Sequence, residues 1–252
     1  MTEQNFQTFV IPLPSGGLNY TDDCAFKKGT VELKYGTSRE ETILMDRQLI
    51  RNGTVLDELL KSLMIEKEDV SKLFPGDFNA LVIAARVSMY GNIWEVKVPC
   101  PSCGVEQEIK IDISEFDNFK NTEEFENGTL VYESTQGNKF EYKILSKKEI
   151  VDYDKFVISM KKKNIPCNQI GELFFRSIIS VNGETNKADN KIYFNSMSSL
   201  ESRELREHIN QNSPDINLFR EFECPSCGHS WDSEIELDIS FFWRSGSRKQ
   251  RI

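Results

Sequence analysis

The feature that most constrains this chain is an internal repeat built around two cysteine pairs. Cys100-Pro-Ser-Cys103 and Cys224-Pro-Ser-Cys227 are each followed by glycine and then by apolar–polar alternation. The first copy runs from Val98 to Phe116 and the second from Phe222 to Phe242. Cys100 aligns with Cys224 at an offset of 124, whereas Ile109, Asp112, Ser114 and Phe116 align with Ile235, Asp238, Ser240 and Phe242 at an offset of 126. The second copy therefore carries two extra residues between its cysteines and the strand expected after them. Ile109, Ile111 and Ile113 alternate with polar residues, as do Ile235, Leu237 and Ile239. Alternation with period 2 predicts half-buried strands, so each copy reads as strand, tight turn, strand.

A Cys-x-x-Cys-Gly turn has the spacing of a zinc knuckle, and the glycine permits the positive φ that such a turn requires. One knuckle supplies two ligands, and structural zinc takes four in a tetrahedron. Cys100, Cys103, Cys224 and Cys227 are thus expected to converge on a single structural Zn2+ across about 120 intervening residues. A thioredoxin-like redox pair would sit at the start of a helix, but strands are predicted after both turns. A catalytic zinc would keep an open position among His or carboxylate ligands. Only His208 and His229 are present, and His229 reads as a loop residue rather than a substitute ligand. Cys24 and Cys167 stand alone and read as small apolar side chains.

Composition narrows the function. Among 252 residues, 31 are Lys or Arg and 40 are Asp or Glu, for a net charge of −9, which disfavours gripping a phosphate backbone. Nucleic acid is therefore not an expected partner. The longest wholly apolar run, Ala80–Ala85, falls far short of the roughly 20 residues of a membrane span. Residues 1–10 lack the basic-then-apolar pattern of a secretory signal. No nucleophile elbow, paired-carboxylate motif or glycine-rich nucleotide loop is recognisable. With two histidines in the chain, general acid–base catalysis has few candidates. Neither enzymatic activity nor a small-molecule substrate is expected.

The expected class is α+β: an N-terminal helical region plus a composite four-cysteine zinc ribbon, with a mixed α/β insertion between its two knuckles. Residues 1–95 form an extended arm, a short strand at Thr30–Tyr35 and three helices. The helices span Ser38–Leu49, opened by a Ser38/Glu41 capping box, then Thr54–Leu63, and one capped by Asp77 that stops before Gly91. Residues 96–116 and 217–243 are the two knuckle hairpins. Residues 117–216 are the insertion, with strand-like runs at Thr129–Glu133 and Lys139–Ile144. Helices are expected there from Ser146, over Gln169–Ser180, and from Ser196 or Ser198 to about Asn210. Residues 244–252 form a basic, flexible tail.

The layout resembles a known family in several segments. These are Leu13-Pro-Ser-Gly-Gly-Leu-Asn-Tyr20, Thr37-Ser-Arg-Glu-Glu-Thr-Ile-Leu44, Val55-Leu-Asp-Glu-Leu-Leu60 and Asp77-Phe-Asn-Ala-Leu-Val-Ile-Ala-Ala-Arg86. Tyr90-Gly91 before the first knuckle and Phe241-Phe-Trp243 after the second complete the pattern. It is similar to the baseplate hub and hub-assembly proteins of contractile-tailed phages of the T-even type. The resemblance implies a non-enzymatic role as a hub component or assembly chaperone, with other phage tail and baseplate hub proteins as partners. It implies synthesis in the host cytoplasm, and a place in the virion tail baseplate for a member retained in the particle. Candidate partner contacts are Leu13, Pro14, Leu18 and Tyr20 of the arm, Arg86 of the third helix, and Phe241, Phe242 and Trp243 at the C-terminal edge. For Arg86 and the three aromatics, packing within the fold is the competing reading. The rival function is a zinc-ribbon nucleic-acid-binding or regulatory protein, which would need the basic residues between Arg244 and Arg251. A hydrolase with a zinc-stabilised lobe ranks last.

Overall fold

The computed structural model describes residues 7–18, 20–114 and 129–243. The basic tail and residues 115–128, including Phe116, lie outside them. The chain is α+β, with eight helices and nine strands among the described residues. Every strand pairing among the described residues is antiparallel.

The first strand, β1 (Thr8–Pro12), pairs with β2 (Thr30–Lys34). Between them the Leu13–Tyr20 segment turns tightly. A Cβ on Gly17 would stand 2.4 Å from the carbonyl oxygen of Lys27, and one on Gly29 would stand 2.6 Å from that of Gly16. With φ of +77° and +71°, both positions call for glycine on two counts.

Four helices, not three, precede the first cysteine pair. The expected Ser38–Leu49 helix is two: α1 (Ser38–Leu44) and α2 (Arg47–Asn52). The break arises because Asp46 takes the N–H groups of Gln48 and Leu49 at 2.8 and 3.1 Å and caps a new helix. The capping box of α1 also sits one residue earlier than expected, on Thr37 and Glu40. Glu40 is fully buried and bound to Lys34 Nζ at 2.8 Å and Ser62 Oγ at 2.6 Å, which sets that register. Helix α3 (Val55–Leu63) buries Val55, Leu59, Leu60 and Leu63 along one stripe.

Helix α4 (Pro75–Tyr90) opens with Pro75 in its first turn, behind Phe74 as N-cap. Asp77 is not the cap; it lies inside the first turn with no solvent exposure. Its carboxylate accepts from Ser15 N (2.9 Å), Ser15 Oγ (2.7 Å) and Tyr20 Oη (2.6 Å). Tyr20 Oη in turn accepts from Phe74 N at 3.0 Å. The Pro-Ser-Gly-Gly-Leu-x-Tyr segment is thus strapped to the start of α4. Burial raises the Asp77 carboxyl, against the hydrogen bonds from Tyr20 and Ser15 that lower it.

After the first cysteine hairpin, β5 (Leu130–Glu133), β6 (Lys139–Tyr142) and β7 (Ile178–Val181) form one sheet in the order β5-β6-β7. The helices here are α5 (Lys147–Lys162), α6 (Gln169–Ser177), α7 (Lys187–Ser196) and α8 (Ser199–Asn212). The Ser146/Glu149 capping box opens α5, and Ser198 caps α8. The expected Gln169–Ser180 helix stops at Ser177 because Ile178–Val181 pairs with β6 instead. Helix α7, capped by Asn186, was not expected. One buried apolar cluster runs from Leu13 and Phe26 through α4 to Phe140, Leu205 and Phe242. A Cβ on Gly76 would stand 2.1 Å from the carbonyl oxygen of Pro214, a measure of how closely the middle region packs on α4.

Candidate metal centre

Both cysteine pairs occupy the tips of two-stranded hairpins with one turn geometry. In the first, β3 (Ile93–Pro99) pairs with β4 (Glu106–Asp112); in the second, β8 (Phe219–Glu223) pairs with β9 (Ser230–Glu234). Cys100 N donates to Val105 O at 3.0 Å, as Cys224 N does to His229 O at 2.9 Å. Gly104 N and Gly228 N return to Cys100 O and Cys224 O at 2.9 and 2.8 Å. The two glycines have φ of +71° and +69°, the left-handed conformation their position required. At the far end of each copy an aspartate side chain accepts from the serine two residues on, Asp112 from Ser114 and Asp238 from Ser240.

The copies differ where the two extra residues fall. β9 ends at Glu234, so Ile235 and Leu237 lie beyond the paired strand and Ile239 begins a 3-10 turn. The strand expected through Ile239 therefore stops early. Its apolar residues cross toward the core, where Ile235 and Phe242 are buried.

The turns meet tip to tip. All four sulfurs lie within 4.8 Å of one another. Cys100 Sγ stands 3.7 Å from Cys227 Sγ, and Cys103 Sγ stands 3.7 Å from Cys224 Sγ, so each close pair joins one hairpin to the other. Four sulfurs at about 2.3 Å from a common centre stand about 3.8 Å apart in a tetrahedron. A disulfide would need about 2.05 Å. The donors therefore fit a tetrahedral thiophilic metal ion, and the four cysteines could hold one. Cys100 and Cys224 are buried, and Cys103 and Cys227 face solvent.

The clustered sulfurs shift one another's ionisation. Burial acts to raise the Cys224 thiol, but the backbone N–H groups of Ser226 and Cys227 and the thiols of Cys227 and Cys103 hold it down at about 7. At Cys227 the N–H of His229 works to lower the thiol, but the surrounding sulfurs of Cys103, Cys224 and Cys100 push it up to about 12. Four thiolates at this spacing repel one another, and a bound cation is what lets all four ionise. His229 is exposed and stacks on Trp231, with ring centroids 6.0 Å apart, outside the sulfur cluster.

Behind the sulfurs, Arg86 joins the two copies. Its Nη1 and Nη2 donate to Gly91 O at 2.8 Å and Ile93 O at 3.3 Å, where α4 passes into β3. Its Nε donates to Phe241 O at 3.2 Å, in the 3-10 turn after the second copy. Trp94 meets the Phe241 ring edge-on at 5.1 Å. A cleft of about 200 Å3 is lined by Trp94, Val96 and Val98 of the first hairpin and by Phe222 and Ile235 from the second copy.

The expected partner residues divide by burial. Leu13, Pro14, Tyr20, Arg86, Phe241 and Phe242 are buried within the chain. Their side chains pack inside the fold, the reading that competed with partner contact for Arg86, Phe241 and Phe242. Leu18 stays exposed and Trp243 is half-buried. The residues that the sequence reading missed are Ser15 and Asp77 as a bonded pair. No local signal marks the pair, because the two residues lie 62 positions apart in the sequence.

Among the described residues no helix is long and apolar enough to cross a membrane. No curated protein and no solved structure gives a significant match to the chain. A family model described as T4 bacteriophage base plate protein matches residues 10–243, a span that takes in the Ser15–Tyr20 strap, α4 and both cysteine hairpins. The chain thus belongs to the T4 bacteriophage base plate protein family and is a structural protein of a phage base plate.

Proposed function

We propose that this protein is a zinc-stapled component of the baseplate hub or of its assembly, acting through protein–protein contacts and catalysing no reaction. The observation that carries the reading is the convergence of four sulfurs at tetrahedral spacing from two hairpins about 120 residues apart in sequence. Cys100, Cys103, Cys224 and Cys227 would hold the ion. A structural zinc supplies a redox-inert cross-link, and its binding energy adds to folding energy. The chain's own residues prepare the site: Gly104 and Gly228 shape the turns, and Arg86, Trp94 and Phe241 hold the hairpin bases together.

In this reading the hairpins of 96–116 and 217–243 form one ribbon around the 117–216 insertion and close on the 1–95 region. Such a staple suits a protein that must present fixed surfaces to tail partners. Leu18 and Trp243 remain candidates for those surfaces. Assembly in the reducing host cytoplasm keeps the thiolates available for metal.

Native mass spectrometry of the full chain, recovered gently from infected cells, tests this. A single zinc per chain with tail proteins attached is the expected result. A metal-free chain carrying only nucleic acid would contradict it.

A further inference from the structure

A second feature lies among α1, α3 and the segment that follows α3. In a protein of net charge −9, one cleft of about 610 Å3 gathers Lys34, Arg39, Lys61 and Lys67. Two of these cations are neutralised: Lys34 pairs with Glu40 at 2.8 Å and Lys61 with Glu58 at 2.8 Å. The other two are not. Lys67 Nζ is fixed by the carbonyl oxygens of Lys61 and Met64, at 2.6 Å each, which take two of its three N–H donors and carry no charge. The Arg39 guanidinium has no partner among the described residues and faces solvent. Burial lowers the Lys67 ammonium, and the positive charges of Lys34 and Arg39 lower it further. The cleft is thus a fixed concentration of positive charge with two unmatched cations. Its walls also include Ile43 and Ile65, the latter 44% exposed.

We propose that this cleft docks an acidic segment of a neighbouring tail protein, with carboxylates on Arg39 and Lys67 and an adjoining apolar side chain on Ile43 and Ile65. The inference rests on the reading that the chain works through protein contacts, and it names one such contact. Arg39 offers the planar fork that pairs with a carboxylate through two hydrogen bonds. Charge complementarity of this kind sets orientation and specificity. The apolar wall favours a peptide over a nucleic acid, and the negative field of the whole chain disfavours a long polyanion.

The test uses the full chain and fluorescence anisotropy. The probes are a labelled peptide of alternating glutamate and leucine, its glutamine counterpart and a labelled single-stranded DNA. Only the glutamate peptide should bind, and binding should weaken as salt rises. Arg39→Glu and, independently, Lys67→Gln should each weaken it about tenfold or more, with an unchanged thermal melt as the check on folding. Equal binding of the glutamine peptide, equal binding of DNA, or unaltered affinity in both variants would each overturn the proposal. Incorporation of the variants into phage tails separates the two levels. Wild-type incorporation with unaltered peptide affinity sinks the cleft proposal and leaves the structural reading intact; absence of the wild-type chain from both tails and assembly intermediates sinks the reading itself.

Discussion

In α4 the side chains of Leu81, Val82 and Ala85 have no solvent exposure; in β9 no residue is buried. The N-terminal body and the cysteine hairpins illustrate two ways to hold a short element. The body packs α3 against α1 and α4, and α4 against β1, and adds polar locks, Asp77 with Ser15 and Tyr20, and Glu40 with Lys34 and Ser62. Fully burying one leucine-sized side chain contributes roughly 1.5–3 kcal/mol, so a few such residues hold a helix. The hairpins lack that resource. In β3 only Trp94 is buried and in β8 only Phe222, and residues of both hairpins line an open cleft. An isolated two-stranded hairpin is marginal in water. The sulfur cluster supplies at the tips what the core supplies elsewhere.

The largest expected effect separates the two regions. Cys100→Ser and Cys227→Ser should each abolish stoichiometric metal binding, because each removes one of four ligands that span both hairpins. Metal analysis of the purified variants checks this, and full occupancy in either one would break the idea of a shared site. Phe241→Ala comes next. Phe241 is fully buried, contacts Trp94 and carries the carbonyl that Arg86 holds, so its loss should cost about 3–5 kcal/mol in denaturant unfolding. If metal affinity also falls in that variant, the shared base helps position the sulfurs; if it does not, the tips assemble alone.

A third effect belongs to the body alone and depends on pH. Burial works to raise the Glu40 carboxyl, but Lys34, Ser62 and Thr37 hold it down at about 2, against an ordinary 4.5. A carboxyl depressed on folding stabilises the fold above its unfolded value and loses that contribution as pH falls through its folded value. The gain, on the order of 3 kcal/mol, should fade between about pH 4.5 and pH 2. The stability advantage of wild type over Glu40→Gln should shrink across that window. An advantage that is flat with pH would remove the charge from the lock. The smallest effect is expected at Cys24, buried but remote from the sulfur cluster. Cys24→Ser should leave metal content unchanged and cost about 1 kcal/mol, the burial of one hydroxyl in place of a thiol.

What could be read from the sequence follows the range of the interactions involved. The knuckle turns were legible because Cys-Pro-Ser-Cys-Gly sets its own geometry within six residues, and the closing bonds of Cys100 and Cys224 agree to 0.1 Å. The Ser146 capping box and the α3 stripe are local in the same sense. Asp77 looked like a cap because aspartate at a helix start usually is one. Its partners Ser15 and Tyr20 lie 62 and 57 residues away, and no local pattern announces them. The end of α6 at Ser177 is likewise decided by β6, which recruits Ile178–Val181 into the sheet. For Arg86 and Phe241 the sequence left packing and partner contact both open, because the bond that joins them spans 155 residues. Helix α7 carries a weak amphipathic pattern and announces itself only through Asn186.

Hydrogen–deuterium exchange of the full chain, with and without a strong zinc chelator, tests the division most directly. Removing metal should speed exchange at the amides of 93–112 and 219–234 while α4 and β6 keep their protection. Uniform loss of protection across the chain, or no change in the hairpins, would contradict the account.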